Sequence, residues 1–249
     1  MRKLYVMLPC YNEEENIGVL IDKWLAEEKK LISLHYSLKI VGIDDKSTDH
    51  TLSILCQKKV EHDNILIISH DKNFGLGGGV QTAFLLFLNE GNKNDYCVLM
   101  DGDNSHDPKY IFSMLEKIAD CDCVIASRYC AESLTKGVPF YRMLLTYFAK
   151  LYYKILLHVP RVNDYTCGYR LYRYEILQKA YEKYGVNFVT RKSFACMMEV
   201  LYKLHLVGCR FEEVPFELRY DEKKGQSKMR LLSTIKESVT TALKLSFHV

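Results

Sequence analysis

The sequence predicts an α/β fold with a mostly parallel central sheet flanked by helices. Three observations lead there. Short apolar runs rich in Val, Ile, Leu and Tyr alternate with helix-period segments through the first half of the chain, the order expected of strand–helix crossovers. Each apolar run stops at a cluster of Pro, Asp, Asn, Ser or Gly, residues that turn the chain or cap a helix. With 48% hydrophobic and 26% charged residues in a chain of 249, a sizeable core can be buried, and a single domain over residues 1–249 fits better than two small ones.

The elements follow in order. The strand at residues 4–8 stops at Pro9, and the acidic run Asn12-Glu13-Glu14-Glu15 opens a helix that continues to about residue 29, since carboxylates favour a helix N-terminus. The second round is a strand at 38–43, then Ser47, Thr48 and Asp49 as capping residues, then a helix at 51–59. In the third, a strand at 65–69 leads through a glycine-rich turn into a helix at 80–89; in the fourth, a strand at 96–100 leads through an acidic turn into a helix at 110–119. A fifth strand at 123–126 ends in Ser127-Arg128-Tyr129. Right-handed crossovers bring the carboxyl ends of parallel strands to one edge. Residues 9–13, Asp44-Asp45, residues 72–79 and residues 101–103 are therefore expected around one crevice, with Arg128 adding a cation to an acidic rim.

Charge excludes little: Lys+Arg 34 against Asp+Glu 31 leaves +3, too balanced for non-specific nucleic-acid binding. The nine cysteines are scattered, and Cys121 and Cys123 lack the spacing of a zinc site, so they read as reduced thiols of a cytoplasmic protein. The N-terminus runs directly into a strand without the features of a signal peptide. The longest lipid-compatible stretch, 143–159, is broken by Lys150, Lys154 and His158, short of the roughly 20 apolar residues that cross a bilayer.

Asp101-Gly102-Asp103 is the sharpest chemical feature: an apolar strand delivers two carboxylates on either side of a glycine. Hard oxygen ligands suit Mg²⁺ or Mn²⁺, ions that keep coordination positions for water and phosphate. The other reading is an Asx turn capping the helix that starts near Pro108. Asp44-Asp45 also ends a strand; one carboxylate can face the crevice to accept from a base or ribose, or both can cap turn and helix amides. Gly75, Gly77, Gly78 and Gly79 follow the third strand and lack the G-x-G-x-x-G order, which argues against a dinucleotide fold. They read instead as a tight turn and close helix packing, with Lys72 leaning toward a phosphate.

The second half is more helical and irregular. Asp164 to Arg170, Glu199, Arg219-Tyr220 and Gly225-Gln226-Ser227-Lys228 mark polar turns between apolar segments. Thr146, Lys150, Lys154 and His158 recur every fourth residue as a polar stripe on a segment otherwise of Leu, Tyr and Phe. That pattern suits a helix lying in a lipid interface with snorkelling cations, or a core helix with one solvated stripe. The final segment, 229–249, has a similar character.

These residues, taken in order, resemble the dolichol-phosphate mannosyltransferases and related bacterial polyprenyl-phosphate glycosyltransferases, which have the GT-A fold. Pro9-Cys10-Tyr11-Asn12-Glu13 is similar to that family's opening Pro-x-Tyr-Asn-Glu, and Asp44-Asp45-Lys46-Ser47-Thr48-Asp49 to its Asp-Asp-x-Ser-x-Asp turn. Asp101-Gly102-Asp103 with Ser105-His106-Asp107-Pro108 is similar to its metal motif. Ser127-Arg128-Tyr129, Thr166 to Arg170, Glu199, and Arg219 with Ser227-Lys228 then match in the family's order. Ser105 departs from the longer amide side chain many members carry, and Gly77-Gly78-Gly79 is richer in glycine than usual.

The resemblance implies that Pro9, Tyr11, Glu13, Ile43 and Asp45 hold the nucleoside, that Asp101, Gly102 and Asp103 hold the donor diphosphate, and that Asp101 and Asp103 ligate Mg²⁺ or Mn²⁺. It implies that Arg128, Arg142 and Arg219 embrace the donor and acceptor phosphates. Residues 1–130 would form the nucleotide-sugar half and 131–249 the acceptor half with its amphipathic helices. The expected reaction is inverting transfer of a hexose from a GDP- or UDP-sugar to a polyprenyl phosphate at the cytoplasmic membrane face. The chain would bind the membrane peripherally or through a membrane-protein partner. Two alternatives stand beside it: a glycan or other hydroxyl acceptor, with Asp164 or Glu199 as base, and a nucleotide-sugar-binding protein without turnover.

Overall fold

The computed structural model describes residues 1–225 and 231–247, with the side chains of residues 142 and 231–233 outside that description. The first half runs β1 (Arg2–Cys10), α1 (Ile17–Ala26), α2 (Glu28–Ser33), β2 (Tyr36–Asp44), α3 (Thr51–Glu61), β3 (Ile65–Ser69), α4 (Gly75–Glu90), β4 (Tyr96–Leu99), α5 (Ile111–Lys117) and β5 (Cys123–Ser127). The second half runs β6 (Leu134–Lys136), α6 (Phe140–Leu157), β7 (Arg170–Arg173), α7 (Tyr174–Tyr184), α8 (Ala195–Leu206), β8 (Phe211–Pro215), β9 (Glu217–Arg219) and α9 (Leu231–Phe247).

Seven strands form the main sheet in the order β3-β2-β1-β4-β7-β5-β8, and β6 pairs with β9 in a small ribbon. The β1–β2, β1–β4, β2–β3 and β5–β8 pairs are parallel, as the strand–helix rounds predict. β7 is the exception, antiparallel to both β4 and β5. Four residues bounded by arginines carry little strand signal. What holds β7 is Arg170, fully buried, whose guanidinium donates to the carbonyls of Cys167, Tyr165 and Met197. A buried cation needs such a set of acceptors.

β1 is the spine of the core: Leu4 through Leu8 are at most 1% exposed, because a central strand covered on both faces reads as a continuous apolar run. Trp24 and Ile21 from α1 and Phe84 and Phe87 from α4 are also fully buried. α4 starts at Gly75, a turn earlier than the apolar periodicity predicts, so the glycines lie inside its first turns. Two close approaches require them. Gly75 takes a left-handed φ of 76°, and a Cβ on Gly77 would sit 1.7 Å from the Arg191 carbonyl oxygen.

α6 is not a core helix. Tyr153 and Leu157 are buried, but Phe140 is 79% and Ile155 72% exposed, with Tyr141, Tyr147, Phe148 and Leu151 also turned outward. α9 packs on α6, joined by the Tyr152 hydroxyl donating to the Val239 carbonyl, and exposes Ile235, Val239, Leu243 and Phe247. No helix among the described residues is long and apolar enough to cross a membrane.

Candidate active site

The strand register brings the turn residues together. Pro9 lies beside Ile43 and Cys10 beside Asp44 across the β1–β2 ladder, while Met7 pairs with Leu99 of β4. The Asp45 amide donates to the Cys10 carbonyl and the Met100 amide to the Met7 carbonyl. The first turn is stitched to the second: the Asn12 amide donates to Ser47 Oγ, the Glu13 amide to Thr51 Oγ1, and the Thr48 amide to Asn12 Oδ1. Tyr11 stands at the rim and Glu13 is buried, accepting from Asn16 Nδ2 at 2.8 Å. Ile43 is a core residue at 0% exposure, and its carbonyl accepts from Cys10 Sγ.

Both aspartates after β2 are held by protein donors. Asp44 accepts from the Ser47 amide and Ser69 Oγ. Asp45 receives the Phe74 and Gly75 amides, each at 2.8 Å, and pairs with His70 Nδ1 at 2.7 Å. The carboxylate thus fixes the N-terminal end of α4, where helix amides are short of partners. Lys72 is exposed and lies over the Phe74 ring.

At the end of β4, Asp103 Oδ1 accepts from the Ser105 amide and from Ser105 Oγ at 2.6 Å, and Asp103 Oδ2 meets Lys223 Nζ at 2.6 Å. The helix at Pro108 is not capped by Asp101 or Asp103, as the alternative reading expected: Asp103 turns onto the Ser105 amide, and the Asp107 side chain accepts from the Lys109 amide at the start of the short helix 108–110. Gly102 packs against Cys10, and Gly168, just before β7, backs directly onto Asp101. Burial, then the Asp103 charge, raises the Asp101 carboxyl to about 7. Burial also opposes ionisation of Asp103, but Lys223 and His106 outweigh it and hold that carboxyl below its usual range. His106 is kept neutral by burial, its pKa lowered to about 4.

Two carboxylates lie together at the end of β4, and the Lys223 ammonium neutralises one of them. No group of three or more His, Cys, Asp or Glu among the described residues could hold a metal alone. Carboxylate oxygens such as those of Asp101 and Asp103 are the donor type that suits Mg²⁺ and Mn²⁺, ions that take remaining ligands from water and phosphate.

Across β7 from the acidic pair, Arg128 is locked by Asp164: Nε to Oδ2 at 2.7 Å and Nη2 to Oδ1 at 2.6 Å, with Nη2 also donating to Thr166 Oγ1. Asp164 is fully buried and also accepts the amides of Arg128, Thr166 and Cys167. Although burial opposes its charge, Arg128 lowers its pKa to about 2. Next in sequence, the Tyr129 hydroxyl donates to the Thr146 carbonyl and Lys150 Nζ sits 4.0 Å from the Tyr129 ring, tying α6 to the crevice. Arg219 turns onto its own loop, pairing with Asp221 and Glu222 while its amide donates to the Ser105 carbonyl. The Arg142 side chain, Ser227 and Lys228 lie outside the described residues.

Glu199 sits away from the acidic pair. It accepts from Thr190, the Arg191 amide and Lys203 Nζ, so it fixes the loop whose carbonyls press on Gly75 and Gly77. Lys223 and this loop were not expected from the sequence, and Gly168 stood out there only as part of the turn from Asp164 to Arg170. Lysine in a polar turn carries no positional signal, and Gly168 gains meaning only from its neighbour in space.

Residues 5–181 match the model of the family described as Glycosyl transferase family 2. The polyprenol monophosphomannose synthase of Mycolicibacterium smegmatis is 28% identical over 235 residues, 92% of this chain and 81% of that protein. The undecaprenyl-phosphate mannosyltransferase of Micrococcus luteus is 26% identical over 227 residues, 91% and 87% of the two chains. The crystal structure of glucosyl-3-phosphoglycerate synthase from Mycobacterium tuberculosis superposes with a TM-score of 0.66 at 17% identity, covering 98% of this chain and 80% of that one. That likeness extends to the sheet and its flanking helices, the GT-A arrangement.

Proposed function

The chain belongs to glycosyl transferase family 2, and from that premise we propose that it transfers a hexose, mannose first among the candidates, from a GDP- or UDP-sugar to a polyprenyl phosphate at the cytoplasmic membrane face. Residues 1–130 bind the donor in this reading, and residues 131–249 receive the acceptor.

The names of the relatives, a polyprenol monophosphomannose synthase and an undecaprenyl-phosphate mannosyltransferase, carry the choice of acceptor, and the state of Asp164 and Glu199, the two carboxylates the sequence offers as hydroxyl bases, supports it. Asp164 is bound to Arg128 and holds its proton only below about pH 2, and Glu199 is spent on Lys203 and the 190–191 loop. Neither is placed to serve as a base near neutrality. An ionised phosphate needs none, being already a nucleophile.

In the reaction, an oxygen of the acceptor phosphate attacks the anomeric carbon as the bond from that carbon to the diphosphate oxygen breaks, and one displacement inverts the centre. Arg128, pre-aligned by Asp164, offsets repulsion between the two anionic groups and holds them for in-line approach. Asp101 and Asp103 would hold Mg²⁺ or Mn²⁺, which when bound offsets the charge developing on the leaving nucleoside diphosphate. Asp45 anchors the start of α4 and with it the donor side of the crevice.

The apolar surface of α6 and α9 supports a lipid acceptor. Immersing a side chain such as Phe140 or Ile155 in lipid favours binding by roughly 1.5–3 kcal/mol when it is fully covered, and Lys150 and Lys154 can reach back toward headgroups. Peripheral attachment follows from this reading.

The test is transfer of radiolabel from GDP-mannose, and in parallel from UDP-hexoses, to a short-chain polyprenyl phosphate with Mg²⁺ or Mn²⁺. Label extractable into organic solvent is the expected result. Label transferred only to water-soluble glycans would overturn the acceptor assignment.

A further inference from the structure

Lys223 has no place in the reaction as described, yet it makes the most buried contact of any lysine with the acidic pair. Its Nζ lies 2.6 Å from Asp103 Oδ2, with side-chain exposures of only 11% and 15%. The two residues are 120 positions apart, so no local turn forces them together. Glu13 and Asp101 also act on this neighbourhood, since the Lys223 and Glu13 charges are both felt at Asp101. An ammonium in contact with one of the acidic pair stands where a divalent ion would be drawn, and the two cations cannot share one carboxylate oxygen at contact distance without strong repulsion.

The segment carrying Lys223 leaves the β6–β9 ribbon at Arg219, which pairs with Lys136, and the Tyr220 amide donates to the Lys136 carbonyl. The Arg219 amide donates to the Ser105 carbonyl. Asn16 forms a reciprocal pair with the Lys224 backbone, at 2.9 and 3.1 Å. Lys23 meets Glu222 at 2.7 Å, but both side chains are about one-third exposed, and such surface pairs contribute little. The Lys223–Asp103 contact is the least solvated charged tie of residues 219–225 to the body of the protein.

We propose that Lys223 is a built-in counter-ion: it occupies the cation position at Asp103 while the crevice is empty, and a divalent ion enters only as Lys223 withdraws. Metal entry is thereby coupled to release of residues 221–225, which follow the β6–β9 ribbon, from the crevice mouth. This inference rests on the metal reading of Asp101 and Asp103 given above. It goes further in assigning a competitor and a moving part.

The coupling has a measurable consequence. A site whose binding-competent state is only fractionally populated shows an apparent affinity reduced by that fraction. Removing the competitor restores it. Lys223→Gln is expected to bind Mn²⁺, titrated alone by calorimetry on the full chain, roughly ten- to a hundredfold more tightly than wild type. Lys223→Arg, which keeps a cation in reach, stays near wild type. Asp103→Ala binds no Mn²⁺. Hydrogen exchange supplies the second reading, because the Lys224 amide is protected by Asn16 in the closed arrangement. The peptide spanning 219–225 should exchange faster when Mn²⁺ is added to wild type, and fast with or without metal in Lys223→Gln.

Equal or weaker Mn²⁺ binding by Lys223→Gln, or slower exchange of that peptide in metal-loaded wild type, overturns the counter-ion role while leaving the metal reading intact. Absence of Mn²⁺ binding in wild type, Lys223→Gln and Lys223→Arg alike removes the metal reading and this proposal together.

Discussion

Asp164 holds Arg128 through two parallel hydrogen bonds, Nε to Oδ2 at 2.7 Å and Nη2 to Oδ1 at 2.6 Å, with the carboxylate itself fully buried. Removing one partner of such a pair strands the other charge in the interior, at a cost of about 3–5 kcal/mol. Asp164→Asn should therefore be less stable than wild type at pH 7 in urea titrations. The sign with pH follows from the depressed folded pKa. The pair's contribution is complete above the ordinary aspartate range, near 4, and is lost as pH falls toward about 2. The stability gap between variant and wild type should close over that interval; a gap independent of pH would show that the ion pair is not its source.

Gly168 offers a way to disturb the acidic pair without touching its charge. A Cβ there would lie 2.6 Å from Asp101 Oδ1, so Gly168→Ala must displace that carboxylate. We expect Mn²⁺-dependent donor binding to weaken at least tenfold while the circular dichroism spectrum is retained. Unaltered calorimetric affinity would place the bound cation away from Asp101.

His106 is neutral in the fold, its pKa lowered to about 4 by burial from an ordinary value of 6.5. Between those values the unfolded chain takes up a proton that the folded chain refuses, so the contribution of His106 to stability declines as pH falls from about 6.5 to 4, while the raised Asp101 carboxyl contributes the opposite slope over the same interval. At 1.36 kcal/mol per unit the span amounts to roughly 3 kcal/mol. His106→Gln should therefore gain stability relative to wild type as pH falls from about 6.5 to 4. A difference between the two that does not change over that interval would show that another group is responsible.

The outward apolar face of α6 predicts a separation of membrane binding from chemistry. Replacing Phe148 and Ile155, 56% and 72% exposed, with serine should reduce co-sedimentation with anionic vesicles at least tenfold, given about 1.5–3 kcal/mol for each side chain buried in lipid. Turnover of a short-chain, detergent-soluble polyprenyl phosphate should stay within about twofold of wild type. Undiminished vesicle binding would assign the face to a protein partner.

The parallel half of the fold was legible because its signals are local. Strand β3 is where the apolar run puts it, and the turns after β1, β2 and β4 announce themselves by Pro9, Asp44-Asp45 and Asp101-Gly102-Asp103. The convergence of those turns also follows from crossover handedness alone. What was not legible depends on partners distant in sequence. β7 is too short and too basic to read as a strand until Arg170 finds its three carbonyls. α4 begins at Gly75 because Asp45 and the 191–192 carbonyls make room only for glycine there. For α6 the sequence left interface and core readings open, since periodicity reports a helix's faces and not which of them is covered. Lys223 was invisible for the same reason: its meaning is a contact across 120 residues.

The antiparallel β7 has a consequence for size. Arg170 lies opposite Leu99 on one side and Ile125 on the other, so the strand ends bearing Asp101 and Arg128 are separated by two ladder spacings, roughly 10 Å. Hydrogen-bonded ladders do not stretch. The inserted strand is in effect a gauge that fixes the span between Arg128 and the acidic pair through backbone pairing. Variation in loops or helices can change what is recognised within that span, but altering the span itself would require rebuilding the sheet.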